Sequence, residues 1–547
     1  MGTKISSVCS RRSFLAGSAA AGAVLGGLSL SGCGSNSARN GSVDADSGHT
    51  VTVCMTKESE PAAGFDPLVA WGCGEHVHEP LVQSTLIVTN KDMEFENDLA
   101  VSYDCSADNL VWTFEIRDDV KFSDGEPLTA SDVAFTINTI RNSEQAQADL
   151  SMVKDAVATS DTLVEIHLSK PYNALLYTLA VMGIVPEHAY GPKYGEKPVG
   201  SGRYLMKQWD RGQQVIFEAN PKYYGEKPNI KQLTVVFMDE DAALAAVKCG
   251  SVDVAYTSPT YADQKVTDYG LEAYKTVDSR GLNLPVIPAG ATKVDAGKEY
   301  AAGNDVTCNL EMRRAINMAI DRDAFIDQVL NGHGTPAYSI GDGMPWASDD
   351  MKIATDVEGA KGLLDRAGWK LGDDGVREKD GVRAELTLYY TAGDSARQAM
   401  ANEFANQMKE IGVKVTPAGK SWDEIYEHQF TDPVMWGWGS NSPSDVYEIN
   451  YSKGTMNYAC YANVTTDAYL DQALAQTEVA ASYPFWHKAQ WDGQEGIAPQ
   501  GSATWVWLAN VDHLYWVRKG LHVAEQKLQP HGHGWSVVNN VDAWNWD

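Results

Sequence analysis

Apolar and polar residues alternate with period two over Thr50–Met55 and again over Val111–Ile116 (Val-Trp-Thr-Phe-Glu-Ile), which predicts two strands. The polar, Gly/Pro-punctuated run Lys121–Leu128 predicts a turn, and a helix follows at once. Thr129 is placed as its N-cap, Asp132 as its first-turn acid, and Val133, Phe135, Ile137 and Ile140 supply its apolar faces. Glu79–Leu86 reads as an apolar helix-like stretch. Met312–Leu330 reads as a longer helix, with Ala315, Ile316, Ala319, Ile320 and Phe325 at helical spacing and Gly332 just past its end. No period of 20–50 residues repeats, which excludes solenoids and propellers. The irregular mixture of strand and helix favours an α/β or α+β body of several lobes.

Composition narrows the picture. In 547 residues, 44% are hydrophobic, with 16 Trp and 24 Tyr, which is enough apolar mass for a core spread over two or more lobes. A formal charge of −29 makes the chain repel nucleic acid and anionic membrane faces. None of the cysteines beyond Cys33 (Cys54, Cys73, Cys105, Cys249, Cys308 and Cys460) forms a C-x-x-C pair, so zinc-ribbon and thioredoxin-like chemistry lacks its motif.

The N-terminus carries an address. Ser10-Arg11-Arg12-Ser13-Phe14-Leu15 and the Gly/Ala-rich apolar stretch Ala16–Gly32 have the order of a twin-arginine export signal. Leu30-Ser31-Gly32-Cys33 resembles a bacterial lipobox, so cleavage of residues 1–32 is expected to leave Cys33 as the first, lipid-modified residue. Residues 33–49 then form a flexible tether of Gly, Ser, Asn and Asp, with the folded body beginning near Thr50. The signal's apolar run is too short and mild for a spanning anchor. Twin-arginine substrates fold before export, so no disulfide is assigned.

Several blocks then follow in a recognisable order. Leu99-Ala100-Val101-Ser102-Tyr103 precedes Trp112-Thr113-Phe114-Glu115-Ile116-Arg117, Val120-Lys121-Phe122-Ser123-Asp124-Gly125 and Leu128-Thr129-Ala130-Ser131-Asp132-Val133. Gly200-Ser201-Gly202-Arg203-Tyr204, Asn220-Pro221-Lys222-Tyr223-Tyr224, the run Arg313–Arg322, Leu363–Trp369, Trp436-Gly437-Trp438 and Asn457-Tyr458 continue it. Together these resemble the family 5 extracellular solute-binding proteins of ABC importers, which take oligopeptides, dipeptides, nickel chelates and related solutes. The resemblance implies an α/β, two-lobed periplasmic-binding-protein-like fold of the large three-subdomain variant (type II), with a hinge between the lobes. By analogy lobe I spans 50–281 with an extra subdomain at about 90–197, lobe II spans 282–507, and 508–547 return to lobe I. It also implies a monomer that closes on its ligand, anchored to the membrane by its lipid, and delivers to ABC permease and ATPase subunits from the outer face of the cell membrane or the periplasm.

No enzyme signature is present: no phosphate loop, no G-x-S-x-G elbow and no H-E-x-x-H helix. Gly419-Lys420-Ser421 lacks the upstream glycine, and neither catalytic residues nor a cofactor are expected. Trp422, Trp436 and Trp438 are candidates for the walls of a ligand cleft, against core packing as the competing account. Peptide-binding relatives usually place an aspartate soon after the tryptophan matching Trp438, to pair with the ligand's α-ammonium. Here Ser440 and Asn441 are neutral and Asp445 comes later, after Pro443. Two His-x-His pairs, His76/His78 and His531/His533, could offer imidazoles to a metal on extended backbone. The second pair reads as an exposed turn near the C-terminus. His76 follows Trp71 in a segment the family places near its cleft, so both join the candidate site, His76 as a sole metal ligand. Arg141 and Arg203 are the candidate cations. Peptide is the first expected ligand, and nickel or another metal chelate the second.

Overall fold

The computed structural model describes residues 49–547 except 70–71, 74–75, 144–145, 147, 149, 296 and 533, and only the backbone course of 72–73 and 76–77. The signal, the lipobox with Cys33 and most of the tether lie outside the described residues.

Thr50–Thr56 lies in the middle of a seven-stranded sheet, flanked in parallel by Gln232–Met238 and Val254–Thr257. The order across the sheet is 204–210, 214–219, 232–238, 50–56, 254–257, 513–518, 269–274. Helix Glu240–Lys248 covers one face, where Ala243, Ala246 and Val247 pack with Cys54 and Trp516. Trp535, Val537, Val541 and Trp544 from the C-terminal turn cover the other, packing with Val51, Val53 and Met55. Burial on both faces explains why the central strand has apolar residues at adjacent positions as well as alternating ones.

A second sheet has the order 334–336, 505–511, 279–283, 435–438, with helices Leu310–Ala319, Val357–Arg366 and Ser395–Glu410 contributing to its core. A separate antiparallel sheet, 100–105, 111–116, 163–168 and 153–158, carries helix Ala130–Arg141. Thr129 and Asp132 form that helix's capping box, satisfying two otherwise orphaned N–H groups reciprocally.

Two expected helices differ. Glu79–Leu86 is irregular, because its carbonyls serve other segments: Leu81 and Val82 accept from Tyr204 and Gly202, and Ser84 and Thr85 from Ile184 and Leu99. The predicted helix over Met312–Leu330 breaks after Ala319, where Ile320 turns extended and the Asp321 carboxylate caps a new start by accepting from Ala324 N–H at 3.1 Å. Its last stretch, Phe325–Val329, is a π-helix.

The chain passes from the first sheet to the second between Tyr274 and Ser279, and returns through Asp512 alone, between strands Trp505–Val511 and His513–Arg518. The two crossovers are bonded to each other. Thr276 Oγ1 donates to Val511 O at 2.7 Å, Val511 N–H donates to Asp278 O at 2.9 Å, and Lys275 pairs with Asp512 at 2.8 Å. A third pass of chain joins them, as Val277 N–H donates to Gln529 O at 2.9 Å. Asp278 is buried here, beside the Arg280 guanidinium, and accepts from His513 Nε2 at 3.0 Å and His531 Nδ1 at 2.7 Å.

Burial alone would raise the Asp278 carboxyl, but Arg280, then His531 and His513, hold it well below the usual carboxylate range. A depressed carboxyl stabilises the fold above its unfolded value near 3.8, and the contribution is lost as pH falls through the folded value. Asp278→Asn is expected to cost about 3–5 kcal/mol at neutral pH, because the buried cations lose their counter-charge. In urea titrations across pH, the gap to the unsubstituted protein should narrow below pH 3.8; a constant gap would mean that charge is not the cause.

Candidate functional site

Strand Met435–Trp438 pairs antiparallel with Ser279–Asn283, setting Trp438 opposite Ser279, Gly437 opposite Arg280 and Trp436 opposite Gly281. On the other side of Ser279–Asn283, Gly281 faces Trp507 and Asn283 faces Trp505. Side chains alternate along a strand, so these four indoles share one face of the sheet, while Arg280 and Gly437 belong to the other. Gly281 is required there: a Cβ would lie 2.4 Å from the Trp507 ring.

The aromatic face is closely stacked. Trp436 lies parallel to Tyr458 at 4.4 Å and to Trp422 at 5.7 Å, and Trp438 meets Trp505 edge-on at 6.5 Å. Trp436 Nε1 donates to Asn283 Oδ1 at 3.0 Å, which fixes the ring. Trp422, Trp436 and Trp438 are thus brought together, with Trp436 and Trp438 each only 4% exposed. Much of their surface therefore serves packing.

The opposite face is charged. A Cβ on Gly437 would come within 2.6 Å of His531 Cε1 and 2.7 Å of both Arg280 Nη1 and Arg397 Nη2, so two guanidiniums and an imidazole converge on this one glycine. Arg397 stands in the first turn of helix Ser395–Glu410, where Asp394 is the cap and also accepts from Arg397 Nη1 at 2.8 Å. It lies 5.7 Å over the Trp422 ring and so links the two faces. Arg397 is buried, and its Nε has no hydrogen-bond partner among the described residues. Burial lowers its pKa, Asp394 opposes that, and the neighbouring Arg280 reinforces it. From the first lobe, the carboxyl of Glu58 is raised by burial and lowered by Arg397.

Just beyond Trp438, Ser440 and Asn441 are half-buried. Ser440 Oγ donates to Ser442 O at 3.2 Å, and Asn441 Oδ1 is buried without a hydrogen-bond partner among the described residues. Asp445 stands in the first turn of helix Ser444–Asn450. Burial pushes its carboxyl up to about 6 despite hydrogen bonds from Ser440.

The remaining candidates fall elsewhere. Trp71 lies outside the described residues, and so does the His76 side chain, whose backbone forms a two-residue strand paired with Gly72–Cys73. His78 is buried, and burial followed by the nearby His513 pulls it down to about 4. The expected exposure of the C-terminal pair is corrected at His531, which is 5% exposed because Asp278 binds it; His533 lies outside the described residues. Arg141 bonds Val153 O at 2.8 Å beside the four-stranded antiparallel sheet, and Arg203 pairs with Asp542 at 2.6 Å beside the seven-stranded sheet, so neither is the cation beside the tryptophans. Arg397, over the Trp422 ring, lies beside them instead, and Arg280 meets it at Gly437 on the sheet's other face. Sequence reading missed them because nothing local marks either one; only the sheet register and a helix cap bring them to Gly437.

The family model described as bacterial extracellular solute-binding proteins, family 5 Middle, matches residues 94–458. Protein XP55 of Streptomyces lividans is 33% identical over 455 residues, covering 79% of this chain and 79% of its own. The oligopeptide-binding protein AppA of Bacillus subtilis is 27% identical over 423 residues, covering 72% of this chain and 75% of its own. Among solved structures, NikZ from Campylobacter jejuni in complex with Ni(L-His) shares the fold at a TM-score of 0.77 and 24% identity, covering 91% of this chain and 99% of that one.

Gly437→Ala should push apart the two guanidiniums and the imidazole, costing about 1–3 kcal/mol as an overpacked core position does. Chemical denaturation measures the cost; a variant as stable as the original would show that the cluster has room to give.

Proposed function

Because the chain belongs to family 5 of the bacterial extracellular solute-binding proteins, we propose that it captures short peptides in the cleft beside Trp436–Trp438 and delivers them to an ABC permease and its ATPase. The reading is of a binder that releases its ligand unchanged, working as a monomer held at the outer face of the membrane or in the periplasm by lipid on Cys33. Among the described residues no helix is long and apolar enough to cross a membrane.

One observation carries the peptide reading: charges of opposite sign flank a single strand. Arg397 and Arg280 meet at Gly437, while Asp445 is held at Ser440, three residues further on. That arrangement suits a zwitterion whose carboxylate faces the guanidiniums and whose ammonium faces the aspartate. Asp445 thus offers the acid that the family places earlier. The unpartnered Arg397 Nε and Asn441 Oδ1 are a donor and an acceptor available to a peptide backbone, and the indoles give sequence-tolerant contact area. Lobe boundaries are proposed at the crossovers, 275–278 and Asp512, with closure as a hinge motion about them.

Nickel or another metal chelate is the second reading, favoured by the neutral Ser440 and Asn441. The Arg280–Arg397 pair would hold the chelator's carboxylates, and His76 would be the axial ligand.

Calorimetry with a mixed peptide pool, and separately with nickel plus histidine, distinguishes the two. Peptide heat should appear, and Arg397→Ala and Asp445→Asn should each weaken it about tenfold or more, as loss of a charge-assisted bond implies. Trp438→Ala should weaken it too. Since Asp445 must be ionised to hold an ammonium, peptide affinity should fall as pH drops through about 6. Nickel–histidine heat that disappears in His76→Ala, without peptide heat, would overturn the peptide reading. Palmitate-analogue labelling of cells should mark the protein and be lost in Cys33→Ala; equally unlabelled, cytosolic protein in both would remove the lipid anchor.

A further inference from the structure

Lobe I holds a separate cavity of about 460 Å³, a volume typical of small-ligand sites. It is bounded by the irregular segment after Glu79, by Gly202 and Arg203, by Tyr223, and by the C-terminal segment from Glu525 to Asp542. None of the residues at the tryptophan cleft lines it.

Most of the charge in its walls is already matched. Lys527 is paired with Glu79 and also donates to Thr89 O at 3.1 Å and Thr89 Oγ1 at 2.9 Å. Asp98 accepts from the Tyr224 hydroxyl and from Thr85 N–H at 3.2 Å. The groups with capacity left over are different. Arg203 Nη1 donates to Asp542 Oδ1 at 2.6 Å, in a pair whose side chains are only 21% and 23% exposed. Among the described residues, that is the guanidinium's one hydrogen bond, and Asp542 Oδ2 accepts none. The Ser536 hydroxyl is buried, with the residue 2% exposed, and has no hydrogen-bond partner among the described residues. Leaving such a group unpaired costs about 1–3 kcal/mol, so a site that fills it gains that back.

We propose that this cavity binds a small polyhydroxylated solute, a sugar or polyol, at the Arg203–Asp542 pair and Ser536. A vicinal diol matches the pair: one hydroxyl donates to Asp542 Oδ2 while its neighbour accepts from the spare Arg203 N–H groups. The pair is neutral as a unit, so it asks for a dipolar ligand rather than an ion. The walls carry more acids than bases, which opposes phosphate or a carboxylate, and the buried acids already have partners, which leaves little for an ammonium to neutralise. The Tyr223 ring supplies an apolar wall for the C–H face of such a solute.

The test is calorimetric titration of the full chain with D-glucose, D-ribose and myo-inositol, with inorganic phosphate and spermidine as charged counter-probes. At least one polyol should give saturable heat. Arg203→Lys should weaken it about tenfold or more, since the forked donor set is lost. Ser536→Ala should weaken it too; removing an unpaired hydroxyl leaves the fold intact, so this variant reports on binding even if the arginine variant is unstable. Peptide heat should be unchanged in both, which separates this site from the interlobe cleft. No saturable polyol heat, polyol heat unaffected by both substitutions, or binding of phosphate or spermidine in place of the polyols would overturn the proposal.

Discussion

A carboxylate taken out of water needs hydrogen-bond donors and a counter-charge, and Asp278 finds both where the two lobes join. Arg280, His513 and His531 reach it from three separate stretches of chain, and its own backbone ties the first crossover to the second through Val511. The same arginine lies beside Arg397 at Gly437, so a group that neutralises the crossover also touches the strand of the tryptophans. One guanidinium thus serves both regions, pairing with Asp278 at the crossover and packing against Gly437 on the strand that carries Trp436 and Trp438.

The aromatic face follows from a plainer constraint. Two strands that alternate Trp with small or aliphatic residues can both project indoles to one side only if the strand between them carries little bulk there, and Gly281 meets that condition. Trp436 is then held by a side-chain amide on that same central strand. Rings locked in this way have already lost their rotational freedom, and most of their area is in contact with the protein.

Legibility in the sequence varied with the range of the interaction. Period two marked Thr50–Thr56 and Val111–Ile116, and the Thr129–Asp132 box was visible as a capping pattern, because these features are decided within a few residues. Glu79–Leu86 misled because its apolar content reflects burial by distant segments that take its carbonyls, and periodicity alone cannot tell a buried helix from a buried irregular stretch. The same limit hid His531, which reads as a polar tail but is held by a carboxylate on the first crossover. The tryptophans could be picked out as a local cluster. The arginines could not, since their meeting is a product of sheet register.

The return through Asp512 places strand His513–Arg518 inside the first sheet, between Val254–Thr257 and Tyr269–Tyr274. The residues between the crossovers are thus all synthesised before the first sheet has its seventh and last strand. During translation the N-terminal part must wait with strand Val254–Thr257 as an open edge and Tyr269–Tyr274 without a ladder partner, while the stretch between the crossovers, continuous in sequence, can form its own core. The last part of the chain to emerge is then what completes the oldest part, so a product that ends at Asp512 has every residue of the second sheet's strands attached to a first sheet that has no strand to hold Tyr269–Tyr274.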